Sequence, residues 1–360
     1  MIRLIITTLI SFTLSFLIWN QKTSTTNYLE KTPKQWLVNS SKILTPKEHI
    51  RPGDQTFLTF PEWFLVHSPA EEARYLSSRT STTFPFWSHV EQLWKSYYIV
   101  YDQIKGNYEL NIGYHVMILV IATSTTVEYG AKAIYEVMIG RITDTKPSET
   151  MTGEDILQAK ITLDYVNFIR QTPWYEFDFL SALKQLWLDT PAFGNHIFRK
   201  WERRYFLTSD LAVKAAYGWM IKKATKAAYE NPILGTSIVV DRQIQLTEKI
   251  SLVQETEQNF FVYFLPRYAD FNPTISEVAV NEAPSLFEVA GNSSAILVTA
   301  LIRKDEQLPE FQNVKTIFVQ DILTRPGERR YALVMKVPDL IDMLAQAKSN
   351  QIEIEHVYDF

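Results

Sequence analysis

No cysteine occurs in the chain, which excludes a disulfide-stapled scaffold and a lipid anchor built on an acylated cysteine. Glycine is scarce, with 11 in 360 residues, so few loops could wrap a phosphate with backbone alone. The nucleotide motifs G-x-x-x-x-G-K-[ST] and G-x-G-x-x-G are absent, as are the nucleophile elbow G-x-S-x-G and the zinc pair H-E-x-x-H. Charge of one sign is missing too: 36 basic against 40 acidic side chains leave a net −4, whereas duplex-binding proteins show a strong basic excess. No helical-array repeat is visible. What is present is apolar and aromatic, at 46% and 13% of residues. That composition excludes a disordered tail, and the length allows one large domain or two ordinary ones, each with a real core.

Residues 2–19, IRLIITTLISFTLSFLIW, form an apolar run of membrane-spanning length with one charge, Arg3, and a tryptophan at its end. A signal peptidase needs small residues after such a run, and Leu17 to Gln21 are bulky. We therefore expect residues 1–20 to be a transmembrane anchor or uncleaved signal, with the bulk of the chain exported. Residues 21–55 are polar and rich in Lys, Ser, Thr and Pro, which reads as a tether.

Helical periodicity fills residues 56–232. Thr59-Phe60-Pro61-Glu62 and Ser68-Pro69-Ala70-Glu71 both fit the capping box that opens a helix. Phe86, Val90, Leu93, Trp94, Tyr97, Tyr101 and Ile104 recur at three- and four-residue spacing, predicting a helix over 84–105. Residues 110–127 are uncharged and have two readings: a second, membrane-embedded span, or a buried or membrane-surface helix continuing to Ile142 with Glu128, Lys132 and Glu136 on a solvated face. Further helices are expected near 153–171, 178–189 and 209–229, with Thr152 and Ser209-Asp210 as N-cap signals.

After Pro232 the period becomes that of strands, in runs near 260–265, 286–290, 295–302, 315–323, 329–337 and 351–358, with helices near 267–281 and 338–350. This order predicts a ferredoxin-like α+β domain over 240–360 with one added strand or hairpin. The segment carries 18 acidic and 11 basic side chains, so it differs electrically from the helical part. The expected fold class is thus α+β: an aromatic-rich, mainly helical domain behind an N-terminal anchor, then a ferredoxin-like domain.

Three sets of residues are candidates for chemistry. Glu62, His67, His89, Glu91 and His115 are spread over several predicted helices and could assemble a metal site, or serve only as caps and core hydrogen-bond partners. Glu176 and Asp178 are two carboxylates two residues apart, suited to acid and base work if their surroundings differ, although Asp178 also fits an N-cap. His196 opens the stretch HIFRKWERRYF, in which Arg199, Lys200, Arg203 and Arg204 alternate with aromatics. Such a mixture suits an anionic headgroup layer, a specific anion, or a solvated ion-paired helix.

The sequence therefore points to a membrane-anchored cell-envelope protein, non-enzymatic and acting through protein or membrane-surface interaction, whose partners are the lipid bilayer and another envelope protein, with no nucleic acid and no cofactor. Two alternatives stay open: a membrane-associated enzyme on a lipid or other anionic substrate, using His196 with Glu176 or Asp178, and a metal- or haem-binding helical membrane protein.

Overall fold

The computed structural model describes residues 25–39, 42–144, 151–226 and 235–360. The anchor expected over residues 1–20 lies outside them. Seven helices of the first part come in chain order: α1 (Gln55–Glu62), α2 (Phe64–Leu76), α3 (Phe86–Ile104), α4 (Ile112–Tyr135), α5 (Gly153–Ile169), α6 (Phe179–Leu188) and α7 (Ile197–Lys226). Helix α4 runs on through a wide π-turn at Glu136–Gly140 and a last turn at Arg141–Thr143. The aromatic periodicity over 84–105 is α3, and its apolar stripe is buried through Phe86, Val90, Leu93, Val100 and Ile104. Among the described residues no helix is long and apolar enough to cross a membrane, α4 included.

Three helix starts differ from the sequence reading. Thr59 and Ser68 do not cap helices but sit inside α1 and α2. Their hydroxyls meet other partners, Thr59 donating to the Gln55 carbonyl at 2.8 Å and Ser68 facing His89 Nδ1 at 3.1 Å. Pro61, lacking an N–H, falls where α1 gives way to α2. Ser209-Asp210 likewise lies within α7, which starts twelve residues earlier than the expected cap, and Ser209 Oγ donates back to the Tyr205 carbonyl at 3.0 Å. Thr152 does cap α5, in a full capping box with Asp155.

The second part makes the molecule α+β. Its strands are β2 (Gly235–Val240), β3 (Ser251–Glu255), β4 (Phe261–Pro266), β5 (Leu286–Val289), β6 (Ala295–Arg303), β7 (Lys315–Asp321), β8 (Glu328–Lys336) and β9 (Glu353–Tyr358), with α8 (Phe271–Asn281) and α9 (Leu340–Ser349) between them. They form two antiparallel sheets, not the single sheet of a ferredoxin-like domain: β3-β4-β2-β5, and β7-β8-β6-β9 with β1 (Thr26–Tyr28) added outside β7. The expected split β-α-β is present twice. β4-α8-β5 straddles β2, and β8-α9-β9 straddles β6.

The five-stranded sheet is buried on both faces. Along β6 and β8, Ala295, Leu297, Ala332 and Val334 face the helical layer, where they meet Phe57, Phe60, Trp63 and Leu93. The alternate residues Ile296, Val298, Ala300, Leu333 and Met335 face α8, α9 and the four-stranded sheet. Two-sided burial explains why β6 reads as a continuous apolar run and not as an alternating one.

Candidate functional site

Helix α7 is amphipathic in an inverted sense. Between Arg199 and Lys214 its charged side chains stand at 199, 200, 202, 203, 204, 210 and 214, one stripe, its aromatic and apolar residues form the other, and three lysines follow at 222, 223 and 226. The charged stripe turns inward: Arg199, Lys200, Arg203 and Arg204 are at most 6% exposed. From Phe198 to Met220, no residue exposed to solvent carries a charge; Phe198 is 83% exposed, Tyr205 and Val213 both 68%. Helix α4 repeats the pattern. Its exposed residues from Ile112 to Ile139 are all apolar, small or hydroxyl-bearing, with Val120, Val127 and Met138 at least half exposed.

The inward stripes of the two helices meet. Asp144 lies 4.0 Å from Arg199, Glu136 2.7 Å from Arg203, and Glu128 3.0 Å from Lys214. Residue numbers rise on α7 as they fall on α4, so the helices run antiparallel along a charged seam. Helix α5 closes one end: Asp155 is 2.7 Å from Arg199, and Glu154 accepts from Lys200 at 2.9 Å and Arg204 at 2.7 Å. Gly140 makes the seam feasible, because a Cβ there would lie 2.1 Å from Glu136 Oε2. With glycine in the π-turn, Glu136 reaches Ser81 Oγ at 2.7 Å and Arg203 Nη1 at 2.7 Å.

Beside the seam, α2, α4, α5, α6 and α7 line a partly open cavity of about 80 Å³. One wall is apolar, with Phe64, Ile161, Phe179 and Leu207; the other is a chain of alternating charge. Lys132 Nζ lies 3.3 Å from Glu72 and 3.1 Å from Glu128, and Lys214 Nζ 3.0 Å from Glu128 and 3.1 Å from Asp210. Burial works against each charge, yet Lys214 and Lys132 hold the Glu128 carboxyl below its ordinary range, and Asp210 and Glu128 raise Lys214.

The expected headgroup-binding cations are therefore not on the surface. Arg199, Lys200, Arg203 and Arg204 are held by carboxylates inside the helical layer, because a buried guanidinium or ammonium needs a partner within a few ångströms. The expected enzyme constellation is also dispersed. Glu176 pairs with Lys222 near the far end of α7, whereas His196 is exposed just before its start, about 39 Å away along the helix at ~1.5 Å per residue. Asp178 is the N-cap of α6, accepting from the Ser181 N–H at 2.9 Å.

The five metal candidates are divided among separate partners. Glu62 accepts from the Tyr114 hydroxyl, His115 Nδ1 faces the Tyr97 hydroxyl at 3.1 Å, and Glu91 pairs with Lys95. His67 and His89 belong to a different cluster that the sequence reading missed, centred on Arg330. Its guanidinium donates to Glu355 at 2.5 and 2.7 Å and to Gln320 at 2.8 Å, with Glu71 3.7 Å away. His67 stands 3.6 Å from Glu355 and 3.3 Å from the Tyr358 hydroxyl, His89 3.7 Å from Glu71, and the His356 ring packs on Trp63 at 3.8 Å. Burial lowers all three imidazoles, His67 to about 4 and His356 to about 3. Among the described residues no group of three or more His, Asp or Glu converges to hold a metal. Comparison with family models, with curated proteins and with solved structures finds no match to this chain.

Proposed function

We propose that this protein is a non-enzymatic module of the cell envelope, anchored by residues 2–19 and seated on the bilayer through the outward faces of α4 and α7. The inverted amphipathicity of α7 carries this reading. A helix in water turns its charges out; from Arg199 to Lys214, α7 holds seven charged groups within the layer, and it presents Phe198, Trp201, Tyr205, Val213, Trp219 and Met220 outward. Tryptophan and tyrosine favour the headgroup boundary, and a contiguous apolar surface of this extent marks a contact with lipid or protein. Lipid is favoured because the apolar run at residues 2–19 already brings the chain to a membrane. The seam and the cavity wall then stiffen the layer from within, and the bulk of the chain lies on the exported side.

The attraction is mainly apolar, since the cations of the seam face inward and, among the described residues of the two helices, only Arg141 and Lys223, at the helix ends, are exposed. A chain beginning at Thr25 should cosediment with zwitterionic and anionic vesicles alike, and high salt should release little of it. Val120→Glu combined with Trp201→Glu should lower vesicle binding at least tenfold while leaving the circular dichroism unchanged. Binding only to anionic vesicles and reversed by salt would contradict the seating described here. A stable dimer that Val120→Glu splits, with no vesicle binding, would assign the same face to a second copy.

A further inference from the structure

The two sheets are built from two copies of one unit. In β2-β3-β4-α8-β5 and in β6-β7-β8-α9-β9 the strand order is the same, second-third-first-fourth. The irregularities coincide as well. The third strand residue is bulged in both second strands, between Leu252 and Gln254 and between Thr316 and Phe318. The register of first against fourth strand slips between Val239 and Val240 in one unit and between Thr299 and Ala300 in the other. Pairing Gly235 with Pro266 and Ala295 with Lys336 aligns the first and third strands without a gap. On this alignment Gln254, Glu255 and Thr256 correspond to Phe318, Val319 and Gln320.

The units differ at one edge. In the second, the outer side of β7 carries β1, with Tyr28 opposite Phe318, Asn27 opposite Val319 and Thr26 opposite Gln320. In the first, the corresponding side of β3 pairs with no strand among the described residues, and all of Ser251–Glu255 are exposed. The backbone there is poised for the same bonding. Asp321 N–H donates outward to the Thr25 carbonyl at 2.7 Å, and its counterpart is Glu257; Thr256 N–H, by contrast, donates inward to the Phe260 carbonyl at 2.8 Å. Odd-numbered amides of this stretch, Glu255 and Glu257, therefore point away from β4.

We infer that the outer edge of β3 is a docking edge for an extended, basic strand of a partner protein, added as β1 is added to β7. Strand addition draws its affinity from main-chain bonds and its selectivity from the side chains that alternate along the edge. Glu248, Glu255 and Glu257 are exposed on and beside β3; of the cations nearby, Lys249 lies 3.5 Å from Asp270 and Lys42 donates to Gln258 Oε1 at 2.9 Å, which leaves the carboxylates in excess. The edge thus selects a strand with lysine or arginine. A second copy fits less well, since a twofold through Glu255 would place that carboxylate opposite itself.

The probe is a seven-residue peptide of alternating lysine and valine, added to the full chain in detergent micelles, with hydrogen–deuterium exchange resolved to single amides. Exchange at Glu255 and Glu257 should be fast without peptide and at least tenfold slower at saturation. Glu255→Pro removes an outward N–H that β4 does not use, so it should abolish binding with the thermal transition unchanged; Glu255→Lys with Glu257→Lys should weaken binding tenfold or more. The same peptide with a central proline keeps the charge but cannot pair, and should not bind. Equal binding of that peptide, protection of these amides before any peptide is added, or a dimer that Glu255→Pro dissolves would each overturn the inference.

Discussion

At the scale of single residues, the Arg330 cluster ties the core to pH. Burial keeps His67 and His356 neutral down to about 4 and about 3, and lowers His89, whereas the unfolded chain protonates its histidines near 6.5. Below that pH the unfolded state binds more protons, so stability falls as pH drops from about 6.5 toward 3. Glu355 adds to the loss lower down: burial opposes its charge, but Arg330 and His67 hold it at about 2, so its contribution disappears below about 4.5. Asp359 has the opposite sign, since burial lifts its carboxyl to about 6 against the pull of Arg267 and Arg51, and protonating it relieves the fold as pH falls through 6. Three histidines outweigh that one acid. His67 and His356 should each cost on the order of 2 kcal/mol between pH 7 and pH 5, and His89 adds in the same direction. Urea titrations at the two pH values should show the drop, and His356→Phe, which removes an imidazole whose Nε2 finds no partner among the described residues, should reduce it. Replacing Arg330 by methionine would strand Glu355 in the core and should cost about 3–5 kcal/mol.

At the scale of the element, α7 shows how little a stripe says about its own orientation. Charged and aromatic residues recur with the same helical period in HIFRKWERRYF, so the pattern specifies two faces without specifying which is inside. What decides is the supply of partners: Glu136, Glu154 and Asp155 come from α4 and α5, far away in sequence. The consequence is testable by contrast. Arg203→Met should cost about 3–5 kcal/mol in urea unfolding, because Glu136 and Glu202 lose a buried partner. Tyr205→Glu, 68% exposed, should change stability by less than about 0.5 kcal/mol. Gly140→Ala should act like a weaker Arg203→Met by pushing Glu136 out of the seam.

At the scale of the whole molecule, the strands and the helical layer share a core. Leu297, Phe318, Ala332 and Val334 lie against Phe57, Phe60, Trp63 and Leu93, and Thr56 Oγ1 joins the Leu297 N–H at 2.9 Å to the Tyr358 carbonyl at 2.6 Å. A fragment of residues 235–360 would expose that sheet face to water. It should be aggregated or bind a hydrophobic dye on purification, while adding back the helical part, coexpressed as residues 25–226, should restore solubility. A monomeric fragment with a cooperative thermal transition would show that the units support themselves.

Local periodicity was enough to recognise α3, the Thr152 cap, the Asp178 cap and the order of most strands, because each depends on neighbours a few residues apart. β2 and β3 escaped it: the first is a short run, GTSIVV, buried throughout, in which Thr236 and Ser237 hide the apolar pattern, and the second is a five-residue edge strand with no buried residue to set a period. The duplication was equally invisible in composition, since Thr236 and Ser237 stand where the second unit has Ile296 and Leu297; hydrogen-bond register recurs where side chains do not. The helix α7 stripe, the His67–His89–His356 cluster and the open β3 edge were settled only by tertiary structure. Each depends on which distant segment supplies a counter-charge, a covering face or an added strand, and such contacts leave no period in the residues that make them.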